Sequence, residues 1–172
     1  CKKAADFIAI DYFNRVIVSK ESAADAPGCL QALCAQGGMP GLRLAAPGDV
    51  PTEAGYGACP EAIYDAIKVV HQAGLDLPIY IAASGVPTSD EKHRSEYALA
   101  CLGRVVHAIR QGIDVRGYFH YSDVDAYEWD LGYSAHFGLA GFDPQSFDRK
   151  PRPAAALFKE LIRTKKFPAP PK

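Results

Sequence analysis

The chain has 172 residues, is 48% hydrophobic and carries a formal charge of −1 at neutral pH, so it can bury a core of single-domain size. That balance excludes a basic field for nucleic acid and an acidic tail. No apolar run approaches the roughly 20 residues that span a bilayer, and the opening CKKAADFIAI is too short an apolar run for a signal peptide.

Three strand-then-helix units read out in order. The first strand is predicted over Asp6 to Phe13, DFIAIDYF, a run rich in β-formers. The segment from about 14 to 58 is studded with Gly, Pro and Ala and has little periodicity; it is read as a long loop holding short strands or turns. A helix opens at Pro60, with Ile63, Ile67 and Val70 as its apolar stripe and Gly74 as its stop. The second strand, Leu77 to Ala82, is a nearly continuous apolar run of the kind buried on both faces. A helix follows from about Asp90 to Gln111, with Tyr97, Cys101, Val105 and Ile109 at helical spacing and Gly112 ending it. The third strand, Asp114 to His120, leads into a polar-aromatic loop reaching roughly Phe142. The last helix starts near Pro151 to Pro153 and gives way to a basic, Pro-rich tail at 167–172. Strands alternating with helices imply parallel α/β architecture.

Five cysteines, Cys1, Cys29, Cys34, Cys59 and Cys101, are an odd number without the paired spacings that zinc requires. They are read as reduced structural thiols of an intracellular chain, with a Cys29–Cys34 pairing left open. No metal site or cofactor is implied, and neither a phosphate-binding Gly loop nor a GxSxG elbow around Ser84 occurs. A chain that starts at Cys1 reads as a processed product or a partial sequence.

The densest chemistry lies in Tyr118 to Trp129, YFHYSDVDAYEW. Tyr121 and Trp129 offer apolar ring faces and Glu128 accepts hydrogen bonds, a combination suited to a sugar ring. Retaining hydrolysis of a glycosidic bond needs two carboxyl groups roughly 5–5.5 Å apart, and in parallel barrels such groups stand at the carboxyl ends of strands. The first strand ends at Asp11 and the third leads to Asp123, Asp125, Glu128 and Asp130, whereas the second offers Ala82, Ala83 and Ser84. Asp123, Asp125 and Asp130 are expected to cap turns or face water. Asp11 is expected to accept backbone N–H groups or pair with Arg15 in preference to acting in catalysis. His71, His93 and His107 are placed on helices as surface or packing residues. His120 is expected to point into the barrel, and His136 is a loop residue within reach of a ligand.

These residues together resemble the C-terminal part of family 1 glycoside hydrolases, the β-glucosidase family. ADFIAIDYFNR is similar to the family's sixth strand, LPIYIAASGV to its seventh, and DVRGYFHYSDVDAYEWDLGYSAHFGL to its eighth strand and following loop. FDRKPRPAAALFKELI is similar to its closing helix. The resemblance spans 1–172, is weakest between Asn14 and Gly55, and implies a partial TIM (βα)8 barrel made of the last three βα units.

The departures concentrate where the resemblance would put the chemistry. The position of the family's nucleophilic Glu is Ala83, and a methyl group cannot attack an anomeric carbon. The family's Asn of the sixth strand is Asp11, and the Tyr that contacts the nucleophile is Phe13. The NEP motif that carries the acid/base is absent from the chain. Because nucleophile and supporting groups are lost together, the resemblance implies a naturally degenerate pseudo-glycosidase with no catalytic residue. Tyr121, Glu128, Trp129 and Phe137 remain as matches to sugar-contacting positions.

Three units of eight leave two strand edges and an inner face open. The expected role is a structural or interaction subunit whose partners are other protein chains that cover or complete the barrel. The alternatives are a carbohydrate-binding remnant, or part of a β-glucosidase that hydrolyses O-glycosyl bonds with another chain.

Overall fold

The computed structural model describes residues 4–18, 42–43 and 45–167. The Cys29–Cys34 pairing and most of the C-terminal tail lie outside these residues.

Three parallel strands form the central sheet: β1 (Ile8–Tyr12), β6 (Ile79–Ser84) and β7 (Val115–His120), in the order β1-β6-β7. Their connections carry α1 (Ala62–Gln72) and α2 (Glu91–Arg110), and α3 (Pro153–Thr164) follows β7. Within the 14–58 segment, β2 (Ile17–Val18) pairs antiparallel with β3 (Leu42–Arg43), and β4 (Val50–Pro51) with β5 (Gly57–Ala58). The stretch read as loop up to Phe142 contains a further hairpin, β8 (Ala140–Phe142) against β9 (Arg149–Pro151). Asp143 Oδ1 closes its turn by accepting from Gln145 N and Ser146 N.

One face of the sheet is covered and the other is bare. Ile10, Tyr12, Ile79, Ile81 and Val115 pack into a core with Ile63 and Ile67 of α1 and Tyr97, Cys101 and Val105 of α2. Side chains alternate across a strand, so Ala9, Asp11, Ala82 and Phe119 turn to the opposite face and stand exposed, Phe119 at 58%. The second strand is therefore buried on its helix side only, against the expectation of burial on both faces.

The helix boundaries follow local chemistry. Asp90 caps α2, its Oδ1 accepting from Lys92 N at 2.9 Å and His93 N at 3.2 Å. Gly112 ends the turn beyond it at φ +87°, where a side chain would be strained. Pro153 opens α3, where its missing N–H costs nothing. Ile109 leaves the predicted stripe, 47% exposed, and Ala108 takes the buried position. Successive steps of four residues overshoot a 3.6-residue turn by about 40°, so a stripe held at i+4 drifts off the face.

Asp125 corrects a second expectation, because it is buried and ion-paired. It takes Arg152 in a two-pronged contact at 2.9 and 2.7 Å and accepts Gly138 N at 2.8 Å. Arg152 also reaches Glu91 at 3.2 Å, and Glu91 meets Arg94 at 3.4 Å. Arg94, 0% exposed, donates to the carbonyls of Val86, Thr88 and His136. This network fixes the loops after β6 and β7 to α2 and α3. Asp123 and Asp130 are exposed.

Candidate functional site

At the carboxyl ends of the three strands lies an open cleft of about 420 Å³, lined by Asp11, Phe13, Tyr56, Ala83, Tyr121, Glu128 and Phe137. Each main strand supplies part of it: Asp11 at the end of β1 with Phe13 just past it, Ala83 in β6, and Tyr121 one residue beyond β7. A register shift in the β1–β6 pairing, between Ile10 and Asp11, skips Ala82 and places Ala83 opposite Asp11 of β1. Such an irregularity re-aims a side chain that strict alternation would send to the helix side.

The cleft wall is an aromatic triad. Phe13 and Tyr121 meet edge to face at 5.4 Å, Tyr121 and Phe137 at 5.2 Å, and Phe13 and Phe137 at 5.8 Å. The Tyr121 hydroxyl donates to Glu128 Oε1 at 2.9 Å. Burial, then the hydrogen bond and negative charge of Glu128, raise the pKa of Tyr121 and keep its hydroxyl protonated. A tight turn holds Glu128 in place: its N–H donates to Gly132 O at 2.8 Å and Gly132 N returns to Glu128 O at 2.7 Å.

The predicted residues divide cleanly. Tyr121, Glu128 and Phe137 come together with Asp11, Phe13 and Ala83, while Trp129 points away from the cleft, 95% exposed. Asp11 is exposed and meets no partner among the described residues; the cation expected beside it, Arg15, pairs with Asp49 at 2.6 Å instead. The β3–β4 connection brings Asp49 there, a contact spanning 34 residues that no local pattern could show.

His120 faces the helix layer, correcting its predicted direction. Its ring packs 5.1 Å from Phe158 of α3, beside Tyr118 on the same side, and Nε2 bonds Phe137 O at 3.3 Å. Burial lowers its pKa to about 4. His136 is engaged by Glu53, which accepts both its backbone N–H at 2.8 Å and its Nδ1 at 2.9 Å. His71 and His107 are exposed on helices, and the His107 ring lies 5.0 Å from Tyr64.

Tyr56 is the residue that sequence reasoning missed. It sits in the β4–β5 turn after Gly55, which adopts φ +80°, and is only 9% exposed. Its hydroxyl is shielded from solvent and has no hydrogen-bond partner among the described residues. Burial and the nearby negative charge of Glu128 raise its pKa, so the hydroxyl stays protonated. The one local signal was a lone aromatic between glycines, GYG, a few residues before Pro60.

Among the described residues no cluster of three His, Cys, Asp or Glu could hold a metal ion, and Cys59 and Cys101 are free, buried thiols. No helix among them is long and apolar enough to cross a membrane.

A parallel α/β sector with an acidic and aromatic cleft at its strand ends is the architecture of a piece of an α/β barrel. Comparison with known proteins gives its family. The model of glycosyl hydrolase family 1 matches residues 1–167. A β-galactosidase of Sulfolobus acidocaldarius is 32% identical over 95% of this chain and 32% of its own length. A β-glycosidase from Pyrococcus horikoshii superposes with a TM-score of 0.78 at 33% identity, covering 96% of this chain and 36% of that one. A hyperthermophilic β-glucosidase from Pyrococcus furiosus gives 0.77 at 27% identity, over 95% and 34%. The chain belongs to glycosyl hydrolase family 1, and it spans about a third of the length of these relatives.

Proposed function

We propose that this chain is a catalytically silent family 1 sector, corresponding to the sixth to eighth βα units, that serves as the structural part of a larger barrel. The observation that carries the silent reading is Ala83 in the cleft wall, where the resemblance puts the family's nucleophilic Glu. A methyl group forms no glycosyl-enzyme bond. Phe13 stands where a supporting hydroxyl would be, and its ring is spent on the aromatic triad. Incubation with an aryl β-glucoside is expected to release no aglycone above the uncatalysed rate. Turnover that vanishes in Asp11→Asn would overturn the reading, since Asp11 would then be the substitute carboxylate.

The structural role is supported by the bare inner face of the sheet and by the outer edges of β1 and β7, which no strand among the described residues pairs. In the relatives, some two thirds of the chain lies outside the matched region. Partners that supply further βα units would pair those edges. Co-purification is expected to recover a companion carrying them; recovery of the chain without any companion, as a monomer by light scattering, would sink this role.

A second reading, a sugar-binding cleft, is favoured by the retained Tyr121–Glu128 pair among apolar rings. If the remaining units join the cleft, the same residues would form part of a β-glycosidase site whose chemistry comes from elsewhere in the assembly.

A further inference from the structure

At the other end of the sheet, where the strands begin, lies a second pocket of about 240 Å³. Its floor is apolar: Ile8 and Ile79 open β1 and β6, Val70 is near the end of α1, and Ile113 precedes β7. Leu75 forms an apolar lip and stands 60% exposed. The rim is negative. Asp76 and Asp114 line it; Asp114 is held by Arg116 at 2.8 Å, whereas Asp76 has no ion-pair partner among the described residues. Both α1 and α2 also end here, with Val70 and His71 on one side and Gly112 on the other, and the carbonyl ends of two helices add to the negative potential.

The chain's own tail is delivered to this face. α3 starts beside the loops after β7, where Arg152 bonds Asp125 and Gly138 O. It then passes His120 and Tyr118 through Phe158, and so runs antiparallel to β7. Its 12 residues carry it about 18 Å, which brings Thr164 and Phe167 level with the starts of the strands. α3 packs on α2, so the pocket begins about one helix spacing away, some 8–10 Å. Residues 168–172, PAPPK, follow; such a sequence favours polyproline II, and five residues of it reach about 15 Å.

The chemistry matches as well as the span. A proline ring covers apolar surface and brings no backbone N–H that burial would leave unpaired. Lys172 supplies the cation that the rim at Asp76 lacks. We propose that residues 168–172 fold back past the end of α2 and seat Pro170 and Pro171 in this pocket, with the Lys172 ammonium on the Asp76 carboxylate. The tail thereby covers Leu75 and ties the end of α3 to the turn after α1.

Carbodiimide coupling, which condenses a carboxylate and an amine already in contact into an amide, tests the contact on the purified chain with any companion it carries. A Lys172–Asp76 link within one chain is expected by mass spectrometry of the proteolysed product, with a yield that falls as salt is added. Asp76→Asn should remove the link and leave the fold intact, because Asp76 has φ +49° and Asn tolerates that conformation as Asp does. Deletion of 168–172 should speed hydrogen exchange over Gly74 to Leu77 by on the order of threefold to tenfold. A link between two chains, recovered as a covalent dimer, would overturn the proposal in favour of a second copy's tail. A link from Asp76 to Lys2, Lys3 or a companion's lysine would overturn it in favour of that occupant. Unchanged exchange on deletion, with no link to Asp76, would overturn it outright.

Discussion

His120 is the group whose burial most directly couples stability to pH. It is neutral in the fold, its Nε2–H donating to Phe137 O while Nδ1 is buried without a partner among the described residues. Desolvation lowers its pKa from 6.5 to about 4, with the Phe137 carbonyl opposing. Above the unfolded value both states are neutral and His120 exerts no pH-dependent effect. As pH falls through 6.5 the unfolded chain takes up a proton that the folded chain refuses, so stability drops across the window down to about 4, where the loss is complete. A displacement of that size is worth up to about 3 kcal/mol. His120→Gln keeps an N–H for Phe137 O and removes the titration. Urea unfolding of both proteins at pH steps from about 7 to 4 should show the wild type losing up to about 3 kcal/mol more than the variant. Parallel stability curves would refute the assignment of a suppressed imidazole to this position.

Two further outcomes follow from the packing. Arg152→Ala leaves the buried Asp125 and the part-buried Glu91 without their shared cation; loss of one partner from a buried pair costs about 3–5 kcal/mol, read as a fall in urea midpoint. Arg152→Lys should recover only part of it, because an ammonium cannot reproduce the two-pronged contact. Asp90→Ala should cost about 1 kcal/mol through the lost cap of α2, and Asp90→Ser most of that back, measured by the same unfolding experiment.

The order of strands and helices, the parallel sheet and the family were legible because they rest on local pattern. Apolar periodicity in Ile63, Ile67 and Val70, the cap at Asp90, the stop at Gly112 and the motif strings around the second and third strands each sit within a few residues of one another. The Ala82-Ala83-Ser84 end of the second strand, without a titratable group, was equally a property of the letters. The short β8–β9 hairpin escaped, since three-residue strands carry no measurable period.

Tertiary structure decided what depends on contacts far apart in the chain. It turned His120 toward Phe158, gave Arg15 to Asp49, and buried Asp125 against an arginine 27 residues away. It set Trp129 in water while folding Tyr56, 65 residues before Tyr121, into the same cleft wall. A residue's type names the bonds it can make, but burial and proximity determine which it makes, and both arise only when separate strands close on one another. The sequence by itself determined ancestry and the residue types at the strand ends; the packed chain determined which carboxylates share a cleft and which rings surround them.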